Sequence, residues 1–147
     1  MTIKTFKGKL PIGVQEKIHL STRDGLTGYR IKQFQVMSST PGVGEVEYVA
    51  KIFTTDQTGN ITSTVDLSDP DLLAAIYYQD QPATAYPDAT TMIFDKETFN
   101  QDIFVYITDA TGGTIEANFY LELEQMKLDL NASTYITVKN IRSRTQV

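Results

Sequence analysis

The chain has 147 residues, 41% of them hydrophobic, with one histidine and no cysteine; this fits one domain with an ordinary core and excludes a disordered chain. Without thiols there are no disulfides, cysteine nucleophiles or Cys-ligated metals, and His19 alone cannot build a multi-histidine metal site. The net charge of -5 is segregated, with +5 over residues 1–39, -13 over 40–131 and +3 over 132–147, an acidic middle that argues against a duplex lying across the body.

The start, Met1 to Lys9, has no apolar h-region, so no signal peptide is expected. No apolar run approaches the roughly 18 residues of a membrane helix, and the chain reads as soluble. Thr2 to Leu10 reads as an edge strand or extended arm stopped by Pro11. Val14 to Leu20 alternates as a strand, and Thr22 to Gly28 is turn-rich. Tyr29 to Met37 is a strand with a parity break, so a bulge near Lys32 or Gln33 is predicted. Ser38 to Gly44 is a loop by composition. Glu45 to Thr54 alternates, with Val46, Tyr48, Ala50 and Ile52 inward and Glu45, Glu47 and Lys51 outward. Ile61 to Leu67 reads as its returning strand.

A short helix is predicted over about residues 69–78. Ser68 serves as N-cap, Pro70 falls in the first turn, and Leu72, Leu73, Ile76 and Tyr77 share a face. Gln79 to Thr90 is a loop, in which Gln79, Gln81 and Tyr86 are candidate contact residues. Thr91 to Phe94 is a short strand. Asp102 to Thr108 is apolar on both parities and reads as a central, covered strand. Thr114 to Glu124 is the cleanest alternation, with a bulge expected at Gln125. Beyond Leu130, Asn131–Thr134 can cap a helix while Tyr135–Val138 prefer strand, and both remain open.

Two segments share a pattern: Thr55-Asp56-Gln57-Thr58-Gly59 and Thr108-Asp109-Ala110-Thr111-Gly112. In each the Asp closes a turn and the Gly supplies positive φ, so both are read as hairpin turns. Glu45 and Glu47, and Glu116, Glu122 and Glu124, are spaced as on the wet face of a sheet, with no neighbour to make a general acid of either set. Asp56–Asn60 and Asp69–Asp71 lack EF-hand spacing. Gly112-Gly113 is no phosphate loop. No catalytic residues, metal site or cofactor are expected, and the reading is non-enzymatic.

Two basic-plus-aromatic clusters are the candidate partner-binding residues. Lys4, Phe6, Lys7 and Lys9 form one. Tyr135, Lys139, Arg142 and Arg144 form the other. Either the ends fold back and neutralise the acidic body, or they are arms that grip a neighbouring acidic surface.

Asn100–Tyr106, Ala117–Glu124, Asn131–Thr134 and Val138–Arg142 together resemble small virion structural proteins of marine and cyanobacterial tailed phages. The resemblance covers about residues 95–144. It implies a β-sandwich present in many copies on a particle, on the capsid surface. The stretch after the Asn-rich turn is more helical in that family, and Tyr135–Val138 depart from it.

The expectation is therefore an all-β chain, an antiparallel β-sandwich or jelly roll with one short helix and extended terminal arms. The division is a basic arm or edge strand over 1–12, the sandwich over 13–130 and a basic tail over 131–147. The expected role is a capsid decoration or cement protein, assembled in the host cytoplasm and resident in the virion. Its partners would be the major capsid protein, other virion proteins or further copies of itself, with no membrane and no nucleic acid. Alternatives are a tail, neck or fibre-adaptor protein, or a carbohydrate-binding module using Tyr48, Tyr86 or Tyr120.

Overall fold

A computed structural model describes residues 2–81 and 88–145. Its elements are β1 (Thr2–Leu10), β2 (Glu16–Ile18), β3 (Thr27–Ser38), β4 (Val46–Phe53), β5 (Leu72–Asp80), β6 (Asp88–Ile93), β7 (Ile103–Asp109), β8 (Ala117–Lys127) and α1 (Leu130–Thr145). The strands form a three-stranded sheet, β1-β8-β3, and a five-stranded sheet, β2-β7-β4-β5-β6, antiparallel throughout. The neighbours 1-8-3 and 2-7-4-5 are those of an eight-stranded jelly roll. The departure is β6, which extends the larger sheet beyond β5 and leaves the outer edge of β3 unpaired over most of its length.

Alternation decides which side chains meet between the sheets. Ala117, Phe119, Leu121 and Leu123 of β8 point into the core, as do Val46, Tyr48, Ala50 and Ile52 of β4. Tyr29, Ile31, Phe34 and Val36 join them because β3 shifts register between Ile31 and Gln33. That bulge restores the parity of the apolar residues, as the sequence predicts. β7 is buried along its whole length. Its second face meets a smaller cluster of Phe53, Leu72, Ala75 and Tyr106, closed by Ile61 and Phe94.

The segment predicted as a helix over 69–78 is strand β5. Its run Leu72–Tyr78 is apolar on both parities, and both faces are covered from Leu72 to Ile76, so helical spacing of Leu72, Leu73, Ile76 and Tyr77 is a by-product of that continuity. A second register shift lets Leu73 and Ala74 both face the main core. Ser68 lies in a turn organised by Asp66, whose carboxylate accepts from the Ser68 backbone and hydroxyl. Residues 61–67 are not a strand but part of the loop 54–71, because β5 already occupies the edge of β4 that they would need. Among the described residues the one helix is α1, which resolves the open tail.

Both Thr-Asp-x-Thr-Gly segments turn as expected. Asp56 accepts from the Thr58 backbone at 2.8 Å and Asp109 from the Thr111 backbone at 2.9 Å, while Gly59 and Gly112 take positive φ. Neither makes a tight hairpin. The first opens the long 54–71 loop, and the second carries the chain from one sheet to the other. Register continues through Gln125, so the bulge predicted there is absent. The N-terminal segment is a paired edge strand rather than a free arm, since every residue of β1 has a partner on β8.

Candidate interaction surfaces

β1 forms the outer edge of the three-stranded sheet. Opposed residues in an antiparallel pair share a face. Lys7 therefore stands beside Tyr120, and Lys9 beside Asn118, on the outward face, whereas Lys4, Phe6 and Leu10 oppose core-facing Leu123, Leu121 and Ala117. Leu10 is buried and Phe6 half-buried against the core. The Lys4 ammonium lies 5.9 Å from the centre of the Tyr29 ring. Among the described residues no carboxylate pairs with Lys4, Lys7 or Lys9. The strand is thus a nine-residue, solvent-facing edge with three cations and no acid.

α1 docks through its polar side. Asp129 caps it, accepting from the Ala132 backbone at 2.7 Å. The Ser133 hydroxyl donates to the Gly25 carbonyl at 2.7 Å. The Asn100 amide donates to the same carbonyl at 3.0 Å and to the Thr137 hydroxyl at 2.6 Å, and the Asn100 backbone donates to the Asn140 side chain at 3.3 Å. Ser133, Ile136 and Asn140 are buried by this contact. Gly25 sits beneath it at φ 68°, where a Cβ would come within 3.3–3.4 Å of Ser133, Asn100 and Thr137. Leu130, Tyr135, Val138 and Ile141 stand exposed on the other side.

Of the C-terminal candidates, Tyr135 is 70% exposed, and Lys139 forms a 2.7 Å ion pair with Glu97. Arg142 and Arg144 lie on the last turns of α1, and their side chains fall outside the described ones. The N-terminal end of β1 and the start of α1 come to the same end of the small sheet, because Thr2 pairs with Gln125 just before the chain enters the helix. Lys7 and Lys9 run away from that end, so the two clusters form no single patch. Gln79 belongs to β5 rather than to a loop. Gln81 donates to Glu47 at 2.8 Å, and Tyr86 lies outside the described residues.

Among the described residues the ion pairs join a basic end to the acidic middle: Lys17 to Asp102, Lys32 to Glu124 and Lys139 to Glu97, with His19 also beside Asp102. Folding back is therefore part of how the charge is balanced. Asp102 is the best-placed of these carboxylates. It accepts from the Leu20 and Ser21 backbones at 2.8 and 2.9 Å. Burial alone would raise its pKa, but these donors and Lys17 outweigh burial and hold it at about 2. Asp56 is also held at about 2, by the Thr58 hydroxyl and backbone and by the Gln15 amide.

Lys51 corrects an expectation. Read as outward and wet, it is buried, because the 54–71 loop folds over the outer face of β4. Its ammonium donates to the Thr64 carbonyl and lies 5.2 and 5.7 Å from the Tyr106 and Phe53 ring centres. Burial pushes its pKa down, partly opposed by Asp69. A concavity of about 380 Å³ opens between β3 and β6, lined by Val36, Phe119, Ile76, Tyr78, Ala89 and Thr91 among others. It lies where β6 has left its jelly-roll neighbour and presents only small side chains to the gap.

Among the described residues no three His, Asp or Glu side chains converge as a metal site. His19 is an exposed side chain whose Nδ1 lies 3.5 Å from Asp102. Tyr48 is fully buried, with its hydroxyl donating to the Ile115 carbonyl at 2.8 Å, so it serves no carbohydrate platform. Sequence reasoning missed Lys51, the Asn100–Asn140 dock and the apolar stripe of α1. Only the stripe had a signal, and it is legible only once residues 130–145 are known to be helical. No protein-family model and no curated protein matches this chain.

Proposed function

We propose that this is a non-enzymatic virion structural protein of a tailed phage, a decoration or cement protein that attaches to the capsid lattice. The observation that carries the reading is β1, a solvent-facing cationic edge with an unpaired backbone ladder. Such an edge accepts an extended segment from a neighbour by backbone hydrogen bonding, and the lysines select an acidic one. Further support comes from the resemblance over residues 95–144 and from the jelly-roll architecture. Many weak contacts repeated over a lattice sum to firm attachment.

The test is co-sedimentation with undecorated shells of a tailed phage. Reversing the three charges (Lys4→Glu, Lys7→Glu, Lys9→Glu) leaves Leu10 and Phe6 in place, so the sandwich is retained. Shell binding is expected to fall by roughly tenfold or more, and wild-type binding to weaken with salt. Undiminished binding by the triple variant would remove β1 as the docking edge. Failure of the wild type to sediment with any shell would remove the reading itself.

A further inference from the structure

α1 is turned inside out for a helix on an isolated domain. The side that faces its own body carries Ser133, Thr137 and Asn140, with Ile136 the single apolar contact. The side that faces water carries Leu130 at 74% exposure, Tyr135 at 70%, and Val138 and Ile141 at 48% each. A surface helix ordinarily shows the reverse, with its apolar stripe on the core. The stripe runs at i, i+8 and i+11 from Leu130 through Val138 to Ile141, with Tyr135 alongside, the spacing of anchors that enter a partner's surface. Apolar area of this extent on one element marks a contact site.

The charge around the stripe narrows the partner. Residues 130–145 contain Lys139, Arg142 and Arg144 and no acid. The 54–71 loop is its counterpart on the same chain: Asp56, Asp66, Asp69 and Asp71 with no cation. Among those acids the loop exposes two large apolar side chains, Val65 at 42% and Leu67 at 48%. Lys51 fixes the loop from below through the Thr64 carbonyl, so Val65 and Leu67 stand on an anchored segment. By sequence the helix segment is basic and apolar and the loop acidic and apolar, with Lys139 of the helix paired to Glu97 of its own chain. Two copies of α1 facing each other would instead oppose like charges.

From this complementarity we infer that the chain associates head to tail with a second copy, the exposed face of α1 packing on the 61–69 loop of its neighbour. The contact is heterologous, so an open row of any length keeps one unused helix face at one end and one unused loop at the other, and only closure into a ring uses both. Each patch is small, which places the contact among weak, transient interfaces. The inference does not depend on the virion reading. It concerns the protein alone and uses surfaces other than the β1 lysines.

Sedimentation velocity on the full chain tests it. The weight-average mass is expected to rise with protein concentration and to rise less in high salt. A helix variant, Tyr135→Gln with Ile141→Gln, and a loop variant, Val65→Gln with Leu67→Gln, change exposed side chains only, and unchanged thermal melts confirm their folding. Each alone is expected to associate roughly tenfold or more weakly than wild type. Mixed, they retain one intact helix face and one intact loop between them, and a one-to-one complex that grows no further is expected. A wild type that stays monomeric at every concentration reached overturns the inference. So does a loop variant that associates like wild type, which would pair the helix with something else, and so does a mixture that forms no complex.

Discussion

Asp102 shows how much one side chain can organise. Its Oδ1 is the partner of two backbone N–H groups at the end of β2, and its second oxygen faces Lys17 and His19. Asp102→Ala would leave the buried Leu20 donor and the part-buried Ser21 donor without this acceptor, a loss of about 2–3 kcal/mol. Asp102→Asn keeps an acceptor for them and should cost less; urea denaturation of the two variants separates the effects. The same carboxylate fixes an acid limit. Its folded pKa, about 2, lies below that of an unfolded Asp, about 3.9. The folded state therefore holds fewer protons in between, so its stabilisation is complete above pH 4 and disappears as pH falls from about 4 through about 2. Asp56 titrates in the same window. A urea midpoint flat from pH 7 to 5 and falling steeply below 4 is the expected profile, and Asp102→Asn should flatten the fall. At Lys51 the alkyl stem and the ammonium can be distinguished. Lys51→Met retains the packing of the stem on Phe53 and Tyr106, while Lys51→Ala loses both packing and the hydrogen bond to Thr64. Alanine is expected to cost about 2–3 kcal/mol and methionine distinctly less, and amide exchange over residues 60–69 should speed up in both.

Among the elements, α1 depends most on its surroundings. Tyr135, Ile136, Thr137 and Val138 favour strands, so this helix is held by its dock and its cap rather than by propensity. Asn100→Ala removes the donor that bridges Gly25 and Thr137. The expected result is faster amide exchange throughout residues 130–145 with the sheets still protected, measured by hydrogen exchange and mass spectrometry. Equal protection of helix and sheets in the variant would show that Asn100 is dispensable. The same element explains where sequence reasoning stops. β4 and β8 are legible because alternate residues remain wetter, and the bulge in β3 because four apolar side chains must share one side. β5 is illegible because its first five residues are covered on both faces, which erases the two-residue period there and leaves any spacing one cares to find. Ile61, Ser63, Val65 and Leu67 alternate like a strand but have no free edge to join. Of the interaction surfaces, the lysines of β1 are plain in the sequence. The stripe on α1 is not, since Leu130, Tyr135, Val138 and Ile141 share a side only in a helix.

For the molecule as a whole, the charge segregation has two effects. Ion pairs bring part of each basic end onto the acidic middle, each contributing at most about 1 kcal/mol at an exposed site. Lys4, Lys7 and Lys9 of β1 stay outside these pairs, while the 54–71 loop keeps its acids. Opposite charge thus stays at separate places on one surface. Shell binding through β1 and self-association through α1 are distinguishable for this reason, since reversing the β1 lysines should weaken the first and leave the second unchanged.

The place of β8 between β1 and β3 has a consequence for biosynthesis. Apart from the Tyr29–Phe99 bridge of β3, neither flanking strand has its ladder partner until the segment ending at Lys127 has left the ribosome. Until then β1 must wait with its ladder unpaired, and assembly of the small sheet is a long-range closure of the kind that proceeds slowly. The nascent chain is most vulnerable to mispairing in that interval, and the lysines that face solvent in the finished molecule are well placed to keep two waiting copies apart.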